Sequence, residues 1–188
     1  MPENNSKQVI RTRILAFRNK MSAEERKRSE ILITERILGH QWYYRAQTIL
    51  LYKSTGSELS TDLLLKEAVK SGKKVYLPKV TDSGKAIMTF CRYEDERSLC
   101  HGYGGILEPM SGEIFCYEEM SAESVLMLMP GVAFDPYKNR LGYGKGFYDR
   151  YLADKPLLPT IAIGYACQMV DNLPIENSDV QPMQVICL

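Results

Sequence analysis

At 188 residues the chain is long enough for one domain with a sizeable core. Lysine and arginine number 24 against 23 acidic residues, so a net charge of +1 gives no global field toward nucleic acid or an anionic membrane. Five widely spaced cysteines (Cys91, Cys100, Cys116, Cys167, Cys187) contain no C-x-x-C pair, and His40 and His101 stand alone, which disfavours a disulfide framework, a zinc knuckle or a histidine-rich metal site.

Residues 6–19 carry Ile10, Ile14 and Phe17 at i, i+4, i+7, predicting an amphipathic helix with those three on its apolar face. A second helix is expected to begin after Ser22, where Ser22 and Glu25 have the spacing of a capping box, and to stop at Gly39. Trp42 and the tyrosines beside it are expected in the core or at its edge. Thr48–Tyr52 is a short apolar run suited to a buried strand, Thr61–Ser71 is helical in pattern, and Lys74–Pro78 is the next strand. Strand, helix and strand within about thirty residues form a βαβ unit, hence a parallel sheet covered by helices. Ile87–Tyr93 suits a further strand, antiparallel by its alternation. Between Glu94 and Glu123 eight acidic residues meet one basic residue, with glycine and proline breakers, and this stretch is expected to be a solvated loop region.

Val125–Pro130 is apolar throughout, as a central strand buried on both faces must be. A helix is expected near Lys145–Leu152 and a strand over Thr160–Tyr165. The longest apolar run falls far short of the ~20 residues that span a bilayer, and residues 1–6 lack the apolar core of a signal peptide. The chain is therefore expected to be cytoplasmic, with the cysteines as reduced, buried, small apolar side chains. No internal repeat or linker interrupts it, so residues 1–188 are expected to form a single α/β domain.

The stretch from Met129 to Leu152 carries the chemistry. Its buried strand ends at Pro130, the chain turns through 135–139, and Gly142, Gly144 and Gly146 then alternate at the mouth of a helix. Alternating glycines let the backbone approach a ligand and aim successive N–H groups at it. The helix start adds free amide donors, and Arg140 and Lys145 add full charges. This is a cradle for a polyphosphate at the carboxyl end of a parallel strand. Asp149, in the first helical turn, offers the kind of carboxylate that Mg²⁺ takes beside phosphate oxygens. Neither G-x-G-x-x-G nor the P-loop pattern fits the glycines.

The string P-G-x-x-F-D-x-x-x-x-R-L-G-x-G-x-G-x-Y-D, from Pro130 to Asp149, resembles the hallmark of the 5-formyltetrahydrofolate cyclo-ligase (5,10-methenyltetrahydrofolate synthetase) family. Lys7, Arg11, the Met21–Arg26 helix opening, Glu58, the Tyr103–Pro109 segment and Asp179 match that family in order. The resemblance implies a Rossmann-like three-layer α/β sandwich with a mainly parallel sheet, similar to sugar-phosphate isomerases and CoA transferases. It implies that Lys7, Arg11 and the loop Arg140, Leu141, Gly142, Tyr143, Gly144, Lys145, Gly146, Phe147 and Tyr148 hold ATP. Lys53, Glu58 and the loop from Tyr143 to Phe147 would contact 5-formyltetrahydrofolate, and Asp149 and Asp179 would serve Mg²⁺. Arg140 and Lys145 would be the catalytic cations. The implied reaction is attack of the N5-formyl oxygen on the γ-phosphate of ATP, closure by N10 and loss of phosphate, in a monomer with no nucleic-acid or membrane partner. Lys138 stands where the family usually has glycine, and its neighbour Asn139 is expected to take the left-handed conformation instead. Phe147 stands where the family usually has tyrosine.

Two other readings bear on the same residues. An isomerase or CoA transferase on a related fold would work without ATP. A non-catalytic nucleic-acid-binding module would use the basic run from Lys7 to Arg28, eight basic and two acidic residues, although such runs are more often solvated helix faces.

Overall fold

The computed structural model describes residues 6–118, 121 and 124–188. Its first elements are three helices, α1 (Lys7–Lys20), α2 (Ala23–Leu38) and α3 (Gln41–Arg45). Strand β1 (Thr48–Leu50), helix α4 (Asp62–Lys70) and strand β2 (Lys74–Asp82) form the expected βαβ unit, and β3 (Ile87–Arg92) returns antiparallel along β2. There follow the short strands β4 (Leu99–His101) and β5 (Leu107–Pro109), then β6 (Val125–Met129), the small ribbon β7 (Ala133–Phe134) and β8 (Arg140–Leu141), helix α5 (Phe147–Leu152), β9 (Thr160–Gly164) and β10 (Gln184–Cys187).

The main sheet has six strands in the order β10-β9-β6-β1-β2-β3, parallel except for β3. Consecutive strand residues point to opposite faces, and both faces are covered. Ile49, Val75, Leu126 and Ile161 pack beneath Ile33 and Ile37 of α2, Tyr43 of α3 and Leu64, Leu65 and Ala68 of α4. Leu50, Tyr76, Met127 and Ala162 face the other way, toward Phe90 of β3, Phe134 of β7 and Leu152 of α5. Helix α1 seals one end, with Ile10 and Ile14 against Val132, Ala133 and Leu141. The result is a doubly wound sheet with helices on both faces. Among the described residues no helix is long and apolar enough to cross a membrane.

This order fixes where a ligand can sit. From β1 the chain runs through α4 to β2 on one side, whereas from β6 it runs to β9 on the other. The two strands are neighbours, in register from Thr48 and Val125 to Leu50 and Met127. Their carboxyl ends therefore open a crevice at the point where the strand order reverses, the place where open α/β sheets bind ligands.

Several local expectations are corrected. Phe17 is not on the buried face of α1: it is 54% exposed, while Arg18 is 2% exposed. The positions one helical turn apart are Ile10, Ile14 and Arg18, and the loops beneath Arg18 supply hydrogen-bond acceptors that an aromatic ring could not use. Strand β2 continues past Pro78 to Asp82, because beyond Tyr76 its pairing is with β3 and an edge position tolerates the missing N–H. The acidic stretch after Glu94 is not simply solvated loop, since β4 and β5 pair there as an antiparallel arm; Glu119 and Glu123 lie outside the described residues. Lys138, not Asn139, takes the left-handed conformation at φ 67°. Asn139 is instead buried against Asp135, its side-chain amide 2.8 Å from that carboxylate. Tyr44 is 85% exposed rather than packed at the core edge, and Cys100 and Cys167 are exposed rather than buried.

Candidate active site

The loops at the switch point enclose a cleft of about 1110 Å³. Every residue singled out from the sequence lines it: Lys7, Arg11, Lys53, Glu58, the loop from Arg140 to Tyr148, Asp149 and Asp179. These residues come from four separate parts of the chain, so the fold rather than sequence proximity assembles them.

The glycine loop is held by a buried carboxylate beneath it. Asp135, 1% exposed, accepts hydrogen bonds from the amides of Tyr137 (3.0 Å), Asn139 (2.9 Å) and Leu173 (3.0 Å) as well as from the Asn139 side chain. Asp135 thereby closes the turn between β7 and β8 and aims Arg140 into the cleft. Gly144 and Gly146 have φ of 99° and 73°, values that side chains with a Cβ rarely adopt. Helix α5 has only six residues and begins just after Gly146, its N-terminal cap. So short a helix sums few peptide dipoles, and the cradle rests on its free amides and on side-chain cations.

Those cations are tethered. The Arg11 Nε donates to the Gly142 carbonyl at 2.8 Å, fastening α1 to the loop. Arg140, its side chain 4% exposed, pairs with Asp149 at 2.9 Å, and its guanidinium lies 5.5 Å from the Tyr148 ring centre. Among the described residues the buried Arg140 Nε has no hydrogen-bond partner, a donor left over for a ligand. Lys7 reaches Asp179 at 2.7 Å and Glu176 at 3.1 Å. Burial presses its ammonium pKa down, but these two carboxylates outweigh that and hold it above the usual lysine value. Lys145 is exposed on the loop. Asp149 and Asp179 adjoin through the backbone, since the Val180 amide donates to Asp149 at 3.2 Å.

The opposite wall belongs to the loop after β1. Lys53 is held by Asp62 at 2.7 Å and Glu96 at 3.2 Å. Glu58 accepts from the Thr55 amide at 2.9 Å. Burial raises its carboxyl pKa, against the Thr55 amide, the Tyr143 hydroxyl and the charge of Arg18. The arm of β4 and β5 supplies wall residues that the sequence reading gave no role. Tyr103 meets Phe147 edge to face with ring centres 5.5 Å apart, and Ile106 and Glu108 line the cleft beside them. Glu108 is fixed by the Tyr103 amide at 3.2 Å. The glycines of the Tyr103–Pro109 segment were a usable signal, whereas Arg18 carried none.

Such an arrangement offers a cationic, amide-rich half that suits a polyphosphate, next to a half walled by aromatic rings and a carboxylate that suits a flat heterocycle with N–H donors. A model of the 5-formyltetrahydrofolate cyclo-ligase family matches residues 3–188. The chain is 33% identical over 190 residues to the 5-formyltetrahydrofolate cyclo-ligase of Haemophilus influenzae, covering 96% of each. It is 36% identical over 137 residues to the enzyme of that name from Escherichia coli K12, covering 72% of this chain and 74% of the relative. Its fold is similar to the solved 5,10-methenyltetrahydrofolate synthetase of Aquifex aeolicus, with a TM-score of 0.81 at 29% identity over 95% of this chain and 88% of that one.

Proposed function

Because the chain belongs to the 5-formyltetrahydrofolate cyclo-ligase family, we propose that its cleft binds ATP on the glycine loop and 5-formyltetrahydrofolate beside it, and closes the folate ring with release of ADP and phosphate. The N5-formyl oxygen attacks the γ-phosphorus while the bond to ADP breaks. N10 then bonds to the activated formyl carbon, the carbon–oxygen bond breaks, and phosphate leaves with the original formyl oxygen. The N10 proton goes to solvent, and 5,10-methenyltetrahydrofolate remains.

The observation that carries this reading is the convergence, in one cleft, of the glycine loop with Lys7, Arg11, Arg140 and Lys145 on one side and Lys53 and Glu58 on the other. Phosphoryl transfer asks the protein chiefly for positioning and for stabilisation of charge on the transferred group. Arg140, with its spare Nε donor, and Lys145 serve that charge. Arg11 locks the Gly142 carbonyl, so the neighbouring amides stay aimed inward. The Glu58 carboxylate accepts from the N–H donors of the pterin edge.

The residues also fit a magnesium ion of the kind shared with a nucleotide. Mg²⁺ is usually held by one or two carboxylates with phosphate and water filling the other positions. Asp149 and Asp179, adjoining through Val180, are such a pair. When bound, the ion would draw charge from the phosphate oxygens. Arg140 and Lys7, which neutralise these carboxylates in the unliganded cleft, would then be released toward phosphate. One chain supplies every residue of this site, so a monomer suffices, and the cytoplasm supplies both substrates.

The test is direct. Protein, 5-formyltetrahydrofolate, ATP and magnesium are mixed, and the near-ultraviolet band of the methenyl product is followed. A band that needs both ATP and magnesium is expected; no band, or one that forms without ATP, overturns the proposal.

A further inference from the structure

Arg18 is a buried cation that the proposed chemistry does not use. It is 2% exposed, and no carboxylate forms an ion pair with it among the described residues. Its guanidinium is divided among three loops. Nε donates to the Ser57 hydroxyl at 3.1 Å, in the loop after β1 that carries Glu58. One terminal nitrogen donates to the Gly131 carbonyl at 3.4 Å, in the loop after β6. The other donates at 2.5 Å to the hydroxyl of Tyr143, in the middle of the glycine loop, and the guanidinium carbon lies 5.7 Å from that ring's centre.

A buried charge with no carboxylate beside it needs a reason, since desolvation costs several kcal/mol unless opposite charge or strong hydrogen bonds offset it. A counter-charge lies beyond Tyr143, at Glu58, on which the charge of Arg18 acts. The Tyr143 hydroxyl accepts from Arg18 and also interacts with the Glu58 carboxylate. Cation, phenol and carboxylate thus stand in a row that links α1, the glycine loop and the loop after β1.

We infer that Arg18 is a positioning residue for the folate half of the cleft, acting through Tyr143 to fix the Glu58 carboxylate as an ionised acceptor. This inference rests on the proposed function and deepens it. Ser57 and Glu58 lie on one loop, and Arg18 ties that loop to Gly131 and Tyr143 at once. Removing it releases the Glu58 loop while leaving Lys7, Arg11 and Arg140 with their own partners. The change therefore acts first on the folate side, through the Tyr143 hydroxyl, while the cations of the nucleotide side keep their partners.

A pH signature separates this role from a merely structural one. The groups facing Glu58 are Arg18 from α1, Tyr143 from the glycine loop, Tyr148 from α5, Tyr52 from the end of β1, and Tyr165, whose hydroxyl donates to the Glu58 carbonyl. Arg18 is the one cation among them, and with Tyr143 it favours the ionised carboxylate against burial. Loss of either moves the Glu58 pKa further up, so folate recognition fails at a higher pH than in the wild type.

The experiment compares wild type, Arg18→Met, Arg18→Lys and Tyr143→Phe in the ATP-dependent formation of the methenyl product, with both substrates varied between about pH 5 and 9. For Arg18→Met we expect the folate KM to rise about tenfold or more, the ATP KM to stay within about twofold, and the acid limb of the folate KM profile to move to higher pH. Arg18→Lys, which keeps the charge, should recover part of both effects. Should Arg18→Met fail to fold, Tyr143→Phe keeps Arg18 in place and must show the same folate-selective rise and the same upward shift. An ATP KM that rises as much as the folate KM, or an unmoved acid limb in the folded variants, overturns the inference. If the wild type itself makes no methenyl product, it is the proposed function that fails.

Discussion

Arg140 and Lys145 bracket the glycine loop with the same charge but in opposite surroundings, and that contrast makes a sharp prediction. Arg140 is 4% exposed in its side chain and bonded to Asp149, whereas Lys145 is exposed and forms no ion pair among the described residues. Replacing Arg140 by alanine removes a phosphate-facing cation and also leaves the Asp149 carboxylate, among the described residues, with the Val180 amide at 3.2 Å. Loss of a hydrogen bond to a charged, partly buried group costs about 1.5–3 kcal/mol, so Arg140→Ala should melt roughly 3–12 °C below wild type for a chain of this size. Lys145→Ala should melt with the wild type. Both should lower kcat by ~10²-fold or more, because each removes charge stabilisation from the transferred phosphoryl group. Initial rates from the methenyl band, read beside thermal melts by circular dichroism, give both quantities. Near-wild-type turnover in either folded variant would refute the loop's role, and equal melting temperatures for the two variants would refute the burial argument.

Three further outcomes follow from the geometry. Asp135→Ala leaves the amides of Tyr137, Asn139 and Leu173 without their shared acceptor, and a loss of about 3 kcal/mol or more is expected from urea unfolding; an unchanged midpoint contradicts the clamp. Gly144→Ala forces a Cβ onto a residue at φ 99°, so a destabilisation of about 1 kcal/mol or more should accompany a raised ATP KM. Glu30 is 5% exposed and receives bonds from Lys27, Ser60 and the Leu63 amide. Burial works against its ionisation, yet those partners hold its pKa below the ordinary 4.5. A carboxyl more acidic in the folded than the unfolded chain gives stability that is present above the unfolded pKa and lost as pH falls through the folded one. The melting gap between wild type and Glu30→Gln should therefore be wide at neutral pH and close below about pH 4; a gap that persists in acid contradicts the linkage.

The parallel core was legible because buried strands such as Val125–Met129 are apolar at every position, and the capping box at Ser22 and Glu25 forms as its spacing implied. The glycine loop was legible for a similar reason: charge, glycine spacing and a preceding buried strand occur within one contiguous segment. What escaped notice depends on partners distant in sequence. Arg18 resembles any arginine of a basic helix until Ser57, Gly131 and Tyr143 fold beneath it. Strand β10 is half-buried along its length at the sheet edge beyond β9, and its four residues carry no clear alternation. The β4–β5 arm is masked by its acidic, glycine-rich composition, although Tyr103 and Glu108 place it against the cleft. Lys138 at φ 67° occupies a turn that the Asp135 carboxylate over-determines, so local propensity did not decide it.

The central claim is that the formyl oxygen itself is phosphorylated in this cleft. It is tested most directly by preparing 5-formyltetrahydrofolate with ¹⁸O in the formyl group, running one turnover in unlabelled water with ATP, and weighing the released phosphate by mass spectrometry. The account predicts one ¹⁸O atom in each phosphate. Phosphate carrying no label, with the isotope recovered in water, would contradict it.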